Sequence, residues 1–380
     1  MSDTFMRNLK ETLDGCISEL DAIHQLFCRN PETDFTRNRK ITFKDTIRFL
    51  IELQSKSLPN EIIDYFGHTT DSPTVSAYIQ QRGKILTAGW DYLFKLFTNE
   101  CLSISNPLLK GYRLMACDGS DINIFRNSED PESFIHEGES GYNAIHLNAL
   151  FDLLSCTYHD YDVQGKKKLH ERASLNTMVD RYNCPIPTIF IADRGYESFN
   201  TFVHIIRKNH FFLIRIKDIN SNGILSAYDL PDDEFDMYME TTLTKRHTHV
   251  TMNNPDTYTI LPQYTDFDFF DATSYYKVSI RILRFMTKDG NYVCVATNLP
   301  DDQFSLEEIR NLYRLRWGEE TSFRELKYTI GLINFHSQQR EYIIQELIAR
   351  MIVFNFCQMV NGHAAKLQQK TKRAKMRSTA

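Results

Sequence analysis

Residues 188–198 read TIFIADRGYES. After Thr188 the run is wholly apolar up to Ala192, as a strand buried on both faces requires. It stops at Asp193, and Arg194 and Gly195 supply the turn. Upstream, Leu114–Cys117 (LMAC) is a second short apolar strand, ending in Asp118. Residues 144–154 and 155–163 read as two more strands, and 169–182 as a helix. Residues 199–208 read as a helix and 211–217 (FFLIRIK) as a strand. From 112 to 217 the order is therefore β-β-β-α-β-α-β, a mixed α/β sheet with helices against it.

Residues 1–105 are helical in pattern and form an N-terminal unit, a candidate for DNA binding. Leu9, Leu13, Ile17, Leu20, Ile23 and Phe27 mark one face of a first helix. A second fits 43–53. A helix-turn-helix pairs LPNEIIDYFG with a helix from 74, whose Gln80, Gln81, Arg82 and Lys84 are the groove-facing candidates. Residues 106–217 hold the first part of the α/β core. Residues 218–302 alternate in stretches such as YYKVSIRILRF and read as an all-β insertion. Residues 303–365 return to helix, opening on Ser305 with Glu308 as a capping box. A basic tail, 366–380, closes the chain.

The 380 residues suffice for two or three domains, and 42% of them are hydrophobic, enough for a sizeable core. No apolar run reaches the roughly 18 residues of a membrane helix, and the first residues lack a signal core. A cytoplasmic protein without membrane partners is expected. The eight cysteines show no C-x-x-C spacing, which points to reduced thiols rather than zinc or disulfides. Net charge is −5, yet Lys366, Lys370, Lys372, Arg373, Lys375 and Arg377 follow one another without an acidic residue. Distribution matters more than the total for nucleic-acid binding.

The chemistry concentrates in residues 311–327, NLYRLRWGEETSFRELK. Tyr313, Arg316, Glu320 and Lys327 fall at roughly 0°, 300°, 340° and 320° on a helical wheel, one stripe about 60° wide. Glu319 lies near about 240° on the same wheel, so Glu320 is the better ligand candidate. Asp118 and Asp193 stand at the carboxyl ends of strands, where open α/β sheets build their sites. Three carboxylates suit hard divalent cations such as Mg²⁺ or Mn²⁺, two ions per site.

Three blocks, ACDGSDI, FIADRGYES and Y-x2-R-x3-E-x6-K, resemble the DDE transposases of the insertion-sequence-four family in content and order. Asp193 lies 75 residues after Asp118, and Glu320 lies 127 after Asp193, the longer gap matching that family's β-rich insertion. The resemblance implies a ribonuclease H-like core, with Asp118, Asp193 and Glu320 as catalytic metal ligands. It assigns DNA-phosphate contacts to Tyr313, Arg316 and Lys327, and Arg194 is a further candidate. It implies a bacterial, nucleoid-associated enzyme that cuts transposon terminal inverted repeats and joins 3′ ends to target DNA. Such an enzyme acts as a dimer in the synaptic complex. Family members that form a DNA hairpin flip a base onto a tryptophan of the insertion, which here has none. Tyr258, Tyr264, Phe269 and Tyr275 are the aromatic substitutes, and core packing is the ordinary role for most of them.

Two other readings compete: a ribonuclease H-like nuclease without strand transfer, and a catalytically silent DNA-binding descendant of a transposase. Around the site, Asp121 reads as a turn residue, His146 and His159 as structural, Lys166–Lys168 as a solvated loop and Trp317 as core.

Overall fold

The computed structural model describes residues 2–378 except 38, 70–71, 137–140, 220, 288 and 332–333. Helices α1 (Ser2–Ala22), α2 (Phe43–Glu52), α3 (Leu58–Phe66), α4 (Val75–Arg82) and α5 (Thr87–Ile104) make up the N-terminal unit. The helix expected from 74 is thus two helices. Gly67, at φ +90°, ends α3 in a conformation that side chains resist. Gln81 and Arg82 point inward rather than outward. Arg82 donates to Gln345 and Glu346 of the C-terminal helix, so the groove-facing reading of these two residues fails.

The core strands are β1 (Arg113–Ile124), β2 (Phe134–Ile135), β3 (Tyr142–Asp152) and β4 (Thr157–Gly165). Helix α6 (Glu171–Arg181), β5 (Thr188–Ala192), α7 (Phe199–Arg207) and β6 (Phe211–Ile216) follow, within two residues of the expected bounds. β1 is longer than expected, so Asp118 sits inside a strand and not at its end. β3 pairs antiparallel with both β1 and β4, while β5 is parallel to β1 and to β6. The order β4-β3-β1-β5-β6, with three antiparallel strands followed by two parallel ones, is a ribonuclease H-like sheet.

The insertion supplies β7 (Phe235–Thr244), the short α8 (His249–Met252), β8 (Tyr258–Ile260), β9 (Tyr275–Met286) and β10 (Tyr292–Thr297). Among the described residues its strands form no separate barrel or sandwich. β10 pairs with β6 and with β9, so the insertion prolongs the core sheet. Three helices follow: α9 (Leu306–Arg314), α10 (Trp317–Arg324) and α11 (Arg340–Ser378). The Ser305–Glu308 capping box forms as expected. The tail's backbone continues α11, and its side chains beyond residue 368 lie outside the described residues.

Both faces of the sheet are covered. Met115, Cys117, Phe190 and Phe212 pack with Leu175, Met178, Phe202 and Val203 of α6 and α7. On the other face, Leu114, Ile189 and Leu213 pack with Ile309 and Leu312 of α9. One further core joins the N-terminal helices, the outer strands β3 and β4, and α11. Residues 340–368 are long and apolar enough to cross a membrane, but their most apolar stretch is two-thirds buried inside the protein.

Asn355 of α11 closes this join. Its side chain accepts from the Tyr158 amide and donates to the Tyr158 carbonyl and to Thr98 of α5. It thereby satisfies backbone on the outer side of β4, an edge that would otherwise be left open. Replacing Asn355 by Ala leaves two buried backbone groups unpaired, at roughly 1–3 kcal/mol each. We expect Asn355→Ala to lower the unfolding free energy by about 3 kcal/mol in urea titration. A loss below about 0.5 kcal/mol, the range of neutral surface changes, would remove this role.

Candidate active site

Asp118 and Asp193 are brought together by strand register. β1 and β5 run parallel with Cys117 opposite Ala192, so the next residue of each chain is an aspartate. The glycine after each has a physical reason. A Cβ on Gly119 would lie 2.1 Å from Nε2 of His146. Gly195 donates its amide to Asp193 Oδ1 at 2.7 Å, so that Asp193 caps the turn Arg194–Tyr196. The Gly119 amide donates to Asp118 Oδ1 at 2.8 Å.

The third carboxylate arrives on α10, which packs on β1. Arg316, almost fully buried, donates to Glu320 Oε1 at 2.8 Å and lies 3.7 Å from Asp118 Oδ2. Burial pushes the Asp118 carboxyl up to about 6. The Gly119 amide and Arg316 oppose this, while the charges of Asp193 and Glu320 add to it. The three expected carboxylates therefore converge on one locality.

The donor set is all oxygen, which fits a hard divalent cation. Asp193 and Glu320 beside the half-buried Asp118 are also an excess of negative charge that a cation relieves. Among the described residues no three His, Cys, Asp or Glu side chains stand close enough to hold an ion as they are. The Arg316 guanidinium, between Asp118 and Glu320, occupies the place of a cation.

The remaining expected residues fall as follows. Tyr313 is buried, its hydroxyl without a partner. Lys327 donates to the Asp121 carbonyl at 2.6 Å, which ties the end of the α10 region to β1. Arg194 is exposed on its turn beside Asp193. Asp121 is not a turn residue but lies on β1, 2.5 Å from both His146 Nδ1 and Lys166 Nζ. Lys168 pairs with Glu132, so two of the three loop lysines are engaged. His159 packs edge-on against Tyr182. Of the insertion aromatics, Tyr258 and Tyr275 pair with each other and Phe269 packs on His204, whereas Tyr264 is 88% exposed.

The helix departs from expectation. It breaks at Leu315–Arg316 and turns to π geometry over Glu325–Thr329, before Gly331 at φ +81°. Such π turns recur at functional sites. Trp317, expected in the core, is 60% exposed and lies against Arg316. Glu319, expected off the active face, is fully buried, with both carboxylate oxygens lacking a hydrogen-bond partner. The sequence held a signal for this. Ile309, Leu312, Arg316, Glu319, Phe323 and Leu326 recur at spacings of three and four, and all six are buried.

A family model described as the transposase DDE domain matches residues 109–356, the span that carries all of these groups. The chain belongs to the DDE transposases. Two Escherichia coli relatives are each 31% identical over 73 residues: the putative transposase InsL of IS186A and the transposase of IS421. The matched segment is 18% of this chain and spans only about a fifth of each relative, 20% of its length. A piggyBac transposase synaptic complex with hairpin DNA, 8% identical, aligns over 94% of this chain and 74% of that one. Its TM-score of 0.45 is too low to carry an argument.

The buried aspartate of this transposase has a measurable cost. Its folded pKa of about 6 exceeds the ordinary aspartate value, so folding takes up a proton between the two, and ionised Asp118 weakens the fold above pH 6. In chelator, Asp118→Asn should raise stability near pH 8 by about 2 kcal/mol. Thermal melts should show that gain shrinking as pH falls through about 6 and gone near about pH 4. A gain independent of pH would contradict it.

Proposed function

We propose that the protein cuts transposon ends and joins the resulting 3′ hydroxyls to target DNA, using Asp118, Asp193 and Glu320 to hold two divalent cations. The observation that carries this reading is the register that sets Asp118 beside Asp193, with Glu320 brought in by α10. Mg²⁺ or Mn²⁺ bound there would activate the attacking oxygen and stabilise the leaving one. The three carboxylates fix the cations on rigid sheet and helix, as phosphoryl transfer demands.

The chain's other groups handle the DNA. Once a cation neutralises Asp118 and Glu320, the Arg316 fork is free to grip a phosphate near the cleaved end. Lys327 offers a compact charge from the π turn, and Tyr313 a hydroxyl with no protein partner. Arg194, exposed beside Asp193, meets the backbone on the other flank. No covalent protein–DNA link is needed in either step. Joining two ends at once requires two copies of the chain in the synaptic complex. The spacing of the Tyr313–Lys327 motif and the long β insertion favour the insertion-sequence-four branch, and a bacterial protein that works on the nucleoid.

Glu320→Gln should abolish metal-dependent cleavage and strand transfer of labelled element ends while DNA binding in gel shifts stays near wild type. Retained cleavage would take Glu320 out of the site. Lys327→Ala should weaken end binding and lower the slope of log K against log salt by about one unit. An unchanged slope would contradict the phosphate contact.

A further inference from the structure

A carboxylate sealed from water with neither oxygen hydrogen-bonded is a costly arrangement, and native proteins keep such groups for a reason. Glu319 is in this state, at 0% exposure. The groups that bear on it are the site's own: the carboxylates of Asp118 and Glu320, which repel its charge, and Arg316 and the backbone amide of Asp118, which favour it. The buried Tyr158 also lies within its field, its hydroxyl already engaged with Ser322. Among the described residues no lysine or histidine pairs with it. An apolar side chain would continue the stripe of Ile309, Leu312, Phe323 and Leu326 without that cost.

Successive helix positions diverge by about 100°, so Glu319 and Glu320 leave α10 in different directions. Asp118 lies in the electrostatic field of both. One carboxylate approaches it from the protein interior and the other from the solvent side, where Glu320 is 41% exposed. The helix that carries the pair has only eight residues and is bounded by the break at Arg316 and by the π turn.

We propose that Glu319 is a further ligand of the metal site, completing from the buried side the coordination of a divalent cation held by Asp118 and Glu320. This rests on the reading of Asp118, Asp193 and Glu320 as metal ligands. It makes the site one with four carboxylates, in which the inner cation is held on two sides by consecutive residues of one helix. It also gives the interior carboxylate a positive partner in direct contact, since the ion pairs of Arg316 are with Asp118 and Glu320.

The test is direct binding of Mn²⁺ to the full chain without DNA, read by the loss of the free-ion electron paramagnetic resonance signal. Wild type is compared with Glu319→Gln, Glu319→Leu, Asp118→Asn and Asp193→Asn, with metal-free melting temperature measured alongside. Glu319→Gln and Glu319→Leu should melt at or above wild type without metal, yet bind Mn²⁺ at least about tenfold more weakly. Affinity within twofold of wild type for both, with binding lost in the two aspartate variants, would overturn the Glu319 role and leave the three-carboxylate site standing. Unchanged binding in all four variants would overturn both. Failure of both Glu319 variants to fold would also overturn the proposal, by making the carboxyl a structural necessity.

Discussion

The structure depends on one constraint: a carboxylate is carried into a nearly closed interior by a strand in the middle of a sheet. Asp118 lies between β3 and the end of β5, with apolar residues before it on both faces. Burial there disfavours its charge, and the neighbouring acids make matters worse. The surrounding features read as responses to this. Gly119 and Gly195 turn amides toward the aspartates, and Arg316 is buried to balance them. An arginine in that position is a counter-ion to both Asp118 and Glu320.

The sheet explains why the arrangement is rigid. Strands β1 and β5 are central, both faces are covered, and the insertion extends the sheet on one side while α11 closes it on the other. The long insertion therefore does not interrupt the core. Its strands β9 and β10 buttress β6, and α9 and α10 return from there to β1. Asp193 and Glu320, the proposed ligands 127 residues apart, are in this way linked by a continuous packed path.

Much of this was legible in the residues. The alternation and length of 142–217 gave each strand and helix to within two residues, because buried parallel strands and amphipathic helices have distinct periods. The strand end at Asp118 was misread because Gly119, Ser120 and Asp121 look like a turn, whereas β3 pairs with them through Ile124. Arg82 and Gln81 were read as solvent-facing because a charged residue on a short helix usually is. The burial of Arg82 comes from Gln345 and Glu346, some 260 residues away, which no local pattern reveals. The wheel drawn through 313–327 assumed an unbroken helix. The buried stripe of Ile309, Leu312, Arg316, Glu319, Phe323 and Leu326 runs beside the face that wheel followed, which is why Glu319 lies inside and Trp317 outside.

The most direct measurement is a crystal structure of the full chain grown with Mn²⁺, with anomalous diffraction recorded at the manganese edge. The account predicts anomalous peaks among Asp118, Asp193 and Glu320, with the Arg316 guanidinium moved out from between Asp118 and Glu320. Saturating Mn²⁺ that leaves Arg316 in its present ion pairs, with no peak at these carboxylates, would contradict it.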